Sequence, residues 1–252
     1  MIFEVRPAVV GHRGFGSGSR GGHRENSIGS FLAAAQGGAT WVELDVRRSS
    51  DGELVVWHDP RTPAGRPVLE RTAGELATEG IHSLTEVLAA LPAGLGVDMD
   101  VKITVEDATE QADRRTHALV AEAVRAAAGT RPLLVSSFDP SVPVYLAGRA
   151  ELAGQVGLGL LTSQHLSPEL GVVAAANLGL GVALPYVGTL ALDGDGGAAA
   201  AAVIEMAHQA GLEVMTWTAT PAQAVTAVAA GIDGVCVDDV PGTVAALAAA
   251  RA

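Results

Sequence analysis

Short apolar runs recur along the chain, and each is followed by a stretch with helical spacing. Ala8-Val9-Val10-Gly11 reads as a strand. Ser27–Gln36 reads as a helix that buries Phe31 and Leu32 and stops at Gly37-Gly38. Trp41–Val46 is a second strand, and Ser50-Asp51-Gly52 marks a turn from which Leu54–Trp57 returns. Ser83–Leu91 predicts a short helix ended by Pro92. Leu95–Ile103 is the third main strand, and Val105–Ala128 a long alanine-rich helix. The second half repeats the alternation. Leu133–Phe138, Gln155–Leu161, Leu180–Pro185, Leu212–Thr218 and Asp233–Asp238 read as strands. Pro140–Gly148, Pro168–Ala176, Ala198–Ala210, Pro221–Ala229 and Pro241–Ala250 read as the helices between and after them.

Eight strand–helix units in 252 residues predict parallel strands joined by right-handed crossovers. That is the length of a (β/α)8 TIM barrel in one domain over residues 1–252, with a short insertion after the second strand. A doubly wound open sheet is the rival. Asp193–Gly197 reads as a flexible loop and not as a domain boundary.

Composition narrows the partners. Sixteen Lys and Arg against 28 Asp and Glu give a formal charge of −12. An acidic surface argues against nucleic acid, whose phosphates need a basic patch, and against docking on anionic lipid. The single cysteine, Cys236, excludes an intrachain disulfide framework and a cysteine-built zinc site. No run reaches the ~18 uninterrupted apolar residues of a membrane helix. Met1–Pro7 carries Glu4 and Arg6 and lacks the apolar core of a secretory signal, so the expected location is the cytoplasm. Nothing in the pattern marks an oligomer interface.

In such a barrel, chemistry sits where strands end. The first strand runs into Gly11-His12-Arg13-Gly14 and the second carries Glu43-Leu44-Asp45. The returning ribbon ends in Trp57-His58-Asp59-Pro60, and the third strand carries Asp98-Met99-Asp100-Val101-Lys102. Glu43 and Asp45 are two apart on a strand and face one way. Buried among apolar neighbours, they repel each other unless a cation lies between them. Oxygen ligands suit a hard divalent ion, Ca²⁺ or Mg²⁺, with Mn²⁺ also admissible. Asp100 on the next strand reaches the same point, and Asp98 shares its face further in. The alternative is structural ion pairing of Glu43 and Asp45 with Arg47, Arg48 or Lys102. His12 and His58, next to this site, suit a general base and a general acid, or are ordinary satisfied histidines. Arg13 and Lys102 suit a phosphate between them, and the alternative for Arg13 is a salt bridge to Glu25 or Asp45. A cation, two basic side chains and two histidines together fit an anionic phosphodiester.

Several motifs occur here in a fixed order. They are Gly11-His12-Arg13-Gly14, then Glu25-Asn26-Ser27 before a helix with Phe31, then Val42-Glu43-Leu44-Asp45-Val46, then Asp51-Gly52-Glu53-Leu54-Val55-Val56-Trp57-His58-Asp59. This series resembles the glycerophosphodiester phosphodiesterase family. Weaker matches follow at Asp100-Val101-Lys102, Ser136-Ser137-Phe138-Asp139, Trp217-Thr218, and Gly231-Ile232-Asp233-Gly234 followed by Asp238 and Pro241. The resemblance implies a (β/α)8 barrel and metal-dependent hydrolysis of a small-molecule glycerophosphodiester to glycerol 3-phosphate and an alcohol. It implies His12 and His58 as the acid–base pair, Glu43, Asp45 and Asp100 as metal ligands, and Arg13 and Lys102 on the phosphate. Two rivals stand beside it: the same chemistry on a lysophospholipid or sugar phosphodiester, and a non-catalytic protein that binds a glycerophospho-ligand.

The departures are specific. The family usually carries glutamate where this chain has Asp100, and proline where it has Arg24. The asparagine usual after Trp217-Thr218 is replaced by Ala219-Thr220, and Val237 stands where threonine is common. The first loop is long and basic, with Arg20, His23 and Arg24 among glycines; it either closes over a substrate phosphate or is a solvated loop. Pro60–Gly94, where relatives hold an inserted subdomain, is short. Glu25 is expected to orient Arg13, with a metal contact or a helix cap as alternatives. Phe138 and Trp217 face the rim as substrate contacts or as packing. Tyr186 is a further candidate hydrogen-bond donor. His82, His117, His165 and His208 read as surface residues.

Overall fold

A computed structural model describes residues 1–193 and 196–251. Gly194 and Asp195, inside the loop expected at Asp193–Gly197, lie outside the described residues, as does Ala252. Eight parallel strands form the central sheet: β1 (Ala8–Gly11), β2 (Trp41–Arg48), β3 (Gly96–Val101), β4 (Leu133–Ser137), β5 (Gly157–Thr162), β6 (Val182–Pro185), β7 (Glu213–Ala219) and β8 (Gly234–Val237). Each pairs with the next in chain order. β8 pairs with β1, and β1 with β2, so the sheet closes into the expected barrel. No helix among the described residues is long and apolar enough to cross a membrane.

Alternation along the strands sorts side chains into two cores. On β2, Val42, Leu44 and Val46 point out and pack in the large cluster beneath the helices. Trp41 points in, joining Val10, Leu134, Leu161, Leu184, Met215 and Cys236 inside the barrel. Burying each large aliphatic contributes about 1.5–3 kcal/mol, so register on this strand is strongly specified. Phe3 closes the bottom, its ring 5.3 Å from Trp41. Gly96, opposite Trp41 in the β2–β3 register, is required there because a Cβ would lie 2.1 Å from the indole.

Local chemistry starts the helices where the sequence indicates. Ser27 caps α1 (Ile28–Gln36) by accepting the Ser30 amide. In the segment after β2, Thr72 and Ser83 form capping boxes with Glu75 and Glu86 at the starts of α2 (Ala73–Thr78) and α3 (Leu84–Ala90). This short insertion also carries Leu54–Val56, antiparallel to Val46–Arg48, and its own small core of Val55, Trp57, Val68, Leu76 and Ile81.

One helix differs from expectation. The Val105–Ala128 stretch contains two 3₁₀ turns, Val105–Thr109 and Ala112–Arg114, and only Thr116–Ala127 is α-helical (α4). The buried Asp107 carboxylate accepts the Thr116 amide at 3.0 Å and its hydroxyl at 2.7 Å, and so acts as a cap supplied from the preceding loop. Helix propensity summed over the segment does not register that long-range cap. The basic first loop folds as a small hairpin, Ser19–Arg20 against His23–Arg24. Its Arg24 donates to the carbonyls of Glu79 and Gly80 and lies 5.3 Å above the Trp57 ring. His208 is not a bystander, since its Nε2 lies 2.9 Å from Asp233. His117 packs on Tyr145 at 4.1 Å.

Gly96→Ala forces a methyl into the Trp41 ring. Overpacking of this kind costs about 1–3 kcal/mol, so a drop in thermal midpoint by circular dichroism is expected. An unchanged midpoint would contradict the packing described.

Candidate active site

The carboxyl ends of β1, β2, β3, β4, β7 and β8 surround a cavity of about 200 Å³. It is lined by His12, Arg13, Glu43, Asp45, His58, Asp98, Asp100, Lys102, Phe138 and Trp217, with Leu161, Met215 and Cys236 among the apolar residues of its wall. The β2–β3 register sets Asp45 beside Asp100 and Glu43 beside Asp98, with all four side chains buried. One oxygen from each of Glu43, Asp45 and Asp100 lies within 4.8 Å of the others, a spacing that could hold a metal ion.

The cluster is short of positive charge. Burial pushes the Glu43 carboxyl well above the usual carboxylate range, and Asp45 and Asp100 push it the same way. Burial does the same to Asp98, with Glu43 adding to it. It also raises Asp100, despite the pull of Lys102. Burial opposes ionisation of Asp45 too, but Lys102 and Arg13 outweigh it and hold this carboxyl low. One oxygen each of Asp98 and Asp100 is buried without a partner among the described residues. A hard divalent cation fits the donor set of Glu43, Asp45 and Asp100, where it would give the unpartnered Asp100 oxygen a ligand and supply the missing positive charge.

Hydrogen bonds orient each ligand candidate. Asn26 donates from Nδ2 to Asp45 at 2.7 Å and accepts the Asp45 amide at 3.2 Å. The Arg13 amide donates to Glu43 at 2.8 Å. Arg13 and Asn26 adopt left-handed backbone, φ 50° and 54°, a strained conformation for arginine held by these contacts. Ser136 donates to Asp98 at 2.8 Å.

The basic residues face the carboxylates. Arg13 bonds Glu25 at 3.0 Å and lies 3.4 Å from Asp45, while Glu25 also accepts the Gly18 amide. Glu25 therefore steers Arg13 and the first loop, and stands outside the carboxylate triad. Lys102 contacts Asp100 and lies 3.0 Å from Asp45, with its ammonium 5.6 Å from the Phe138 ring. Both ion pairs weighed for Arg13 are present, as is that of Asp45 with Lys102. Arg48 instead pairs with Asp107 and Glu110.

The two histidines sit differently. His12 Nδ1 lies 2.9 Å from Asp238, which also accepts the Ser17 amide at 2.7 Å. Burial opposes ionisation of Asp238, yet these hydrogen bonds hold it well below the usual range. His58 is delivered by the ribbon after β2: the Trp57 amide donates to the Asp45 carbonyl at 2.9 Å, and Arg47 donates to the His58 carbonyl. Its Nδ1 lies 2.8 Å from Asp59, a largely exposed carboxylate.

Phe138 and Trp217 meet edge to face at 5.6 Å, and Tyr186 packs on Trp217 at 4.7 Å. Trp217 shares the inward face of β7 with Met215 and lines the cavity, and a register shift between Trp217 and Ala219, with Thr218 at φ 59°, follows it. The indole Nε1 is buried without a hydrogen-bond partner among the described residues.

Sequence reasoning placed Asp238 and Asn26 in motifs but missed their roles, Asp238 as the partner of His12 and Asn26 as the clamp on Asp45. The signal for Asp238 was available: Gly11 and Val237 are register partners once the barrel closes, so His12 and Asp238 leave adjacent strands.

Comparisons place this geometry among known proteins. The model of the glycerophosphoryl diester phosphodiesterase family matches residues 12–241. A glycerophosphocholine phosphodiesterase of Candida albicans is 44% identical over 59 residues, 22% of this chain and 5% of that protein. A probable glycerophosphodiester phosphodiesterase 2 of Mycobacterium tuberculosis is 29% identical over 158 residues, 50% of this chain. The chain spans 58% of that relative's length. The structure of an Oleispira antarctica phosphodiesterase in complex with the product sn-glycerol-3-phosphate superposes with a TM-score of 0.71. It is 22% identical, with 96% of this chain and 97% of that one covered.

The Asp238 contacts carry a pH signature. A carboxylate whose folded pKa is depressed stabilises the fold above its unfolded value, about 3.9, and loses that contribution as pH falls through the folded value. The stability advantage of wild type over Asp238→Asn should therefore be full near neutrality and shrink in acid, measured by thermal unfolding across pH. A gap that is constant down to acid pH would contradict the assignment.

Proposed function

We propose that this chain, which belongs to the glycerophosphoryl diester phosphodiesterase family, hydrolyses glycerophosphodiesters to glycerol 3-phosphate and an alcohol. The observation that carries the reading is the meeting of His12 and His58 with a buried carboxylate triad, Arg13 and Lys102 around one cavity.

Glu43, Asp45 and Asp100 would hold a divalent cation, Ca²⁺ or Mg²⁺, which when bound supplies charge neutralisation for phosphate oxygens. Arg13 and Lys102, already turned to the cluster, flank the phosphate and add positive charge where it builds up.

Asp238 on Nδ1 leaves Nε2 of His12 as the nitrogen that takes a proton. In the first step the substrate's glycerol 2-hydroxyl gives its proton to His12 and bonds to phosphorus. The bond from phosphorus to the departing alcohol breaks, and His58 protonates that alcohol. In the second step water gives a proton to His58 and bonds to the cyclic phosphate. The ring oxygen departs with the proton from His12, restoring both histidines. The ionised Asp238 stabilises the imidazolium of the first step. Asp59, more exposed, holds His58 in place at less electrostatic cost.

The test is release of glycerol 3-phosphate from glycerophosphodiesters by protein stripped with chelator and then given Ca²⁺, Mg²⁺ or Mn²⁺. Release is expected only with added metal. His12→Ala and His58→Ala should each lower kcat by about 10²–10⁴. Release that survives chelation, or survives both substitutions, would overturn the mechanism. No release with any metal would return the chain to another diester or to a binding role.

A further inference from the structure

Lys102 and Phe138 also line a second cleft, of about 580 Å³, on the other side of the catalytic cavity's rim. Its walls are the loop after β3, the start of α4 and the end of β4. The first cavity is small and shaped by catalytic groups, whereas this one is large and carries neither His12, His58 nor the triad carboxylates.

The lining carries three cations, Arg47, Lys102 and Arg115, against two carboxylates, Asp107 and Asp139, and so is net positive. Asp107 is occupied by Thr116 and by Arg48 at 3.6 Å. Asp139 accepts the Ser141 amide at 2.9 Å. Against these stand Arg115 and Arg47, which donate only to backbone carbonyls among the described residues. Arg115 bonds the Glu110 and Ala108 carbonyls, and Arg47 the His58 carbonyl. Neither forms an ion pair with a described carboxylate. Phe138, 43% exposed, offers the only aromatic ring of the lining other than the His117 imidazole, and the Lys102 ammonium already lies 5.6 Å from its centre. A quaternary ammonium would meet that charge in place of an open aromatic box.

We propose that this cleft holds the departing alcohol of the diester, and that Arg115 makes it select alcohols bearing an anionic group, a carboxylate or second phosphate, over choline. The proposal rests on the phosphodiesterase reading, since it needs a phosphate at Lys102 with its alcohol directed past Phe138. Arg115, half-buried at the cleft, is the specificity-determining residue; Arg47, buried and tied to the His58 carbonyl, adds field only.

The test separates selection from turnover. Three diesters share the glycerol phosphate half: glycerophosphocholine, glycerophosphoglycerol, and glycerophosphoglycerol bearing a terminal phosphate. Their binding to the full-length His12→Ala protein with Ca²⁺ is measured by calorimetry, so no hydrolysis intervenes. The terminally phosphorylated probe should bind about tenfold or more tightly than glycerophosphocholine, the worth of one charge-assisted hydrogen bond. Adding Arg115→Gln should erase that preference while leaving glycerophosphoglycerol within about twofold, and Arg115→Lys should retain most of it. Equal or tighter binding of glycerophosphocholine, or a uniform loss for all three in Arg115→Gln, would overturn the proposal. The predicted ordering in the absence of any wild-type hydrolysis would sustain the cleft and sink the reaction.

Discussion

Four carboxylates buried at the mouth of one barrel are the constraint from which the rest of the site follows. Glu43, Asp45, Asp98 and Asp100 lie on two paired strands with their side chains inside. Two cationic side chains, Arg13 and Lys102, reach them, and only Asp45 is thereby held below its ordinary titration range. The others are pushed up by burial. Uncompensated charge of this density is costly in a low-dielectric interior, so the arrangement makes sense as a cradle for a further cation. The elements around it serve that cradle. The left-handed turns at Arg13 and Asn26 aim an amide and a carboxamide at Glu43 and Asp45.

The barrel distributes stability and chemistry to different layers. Beneath the cluster, Trp41, Phe3 and the small Gly96 fill the interior. Outside it, the aliphatic side of each strand packs against helices. The polar layer can then carry strained backbone and unsatisfied oxygens because the packing on either side holds it in place. The same division explains the two histidines. His12 is anchored to the strand beside its own, through Asp238, whereas His58 rides on a ribbon added to β2 and rests on an exposed aspartate.

Much of this was legible in the chain. Alternation of apolar runs with helical spacing indicated eight strand–helix units, and the strand ends named His12, Glu43, Asp45, His58, Asp100 and Lys102, all of which line one cavity. What eluded sequence reasoning depends on side-chain contacts that local propensity and strand pattern do not register. The start of α4 is set by Asp107 and not by local propensity. The pairing of Lys102 with Asp45 was among the alternatives the strand pattern offered; its contact with Asp100 was not. Asp238 became visible as the partner of His12 only when the first and last strands were paired. Residues read one at a time could not show that Arg115 lacks a carboxylate partner among the described residues, since that is a property of its surroundings.

The central claim is that the carboxylate cluster is a cation site, and crystals grown with Mn²⁺ test it most directly through anomalous scattering. The account predicts a single strong peak within about 2.0–2.6 Å of oxygens from Glu43, Asp45 and Asp100, lost in Asp45→Asn. An anomalous map with no peak there, with Lys102 still seated between Asp45 and Asp100, would show that the lysine itself neutralises the cluster and would contradict the account.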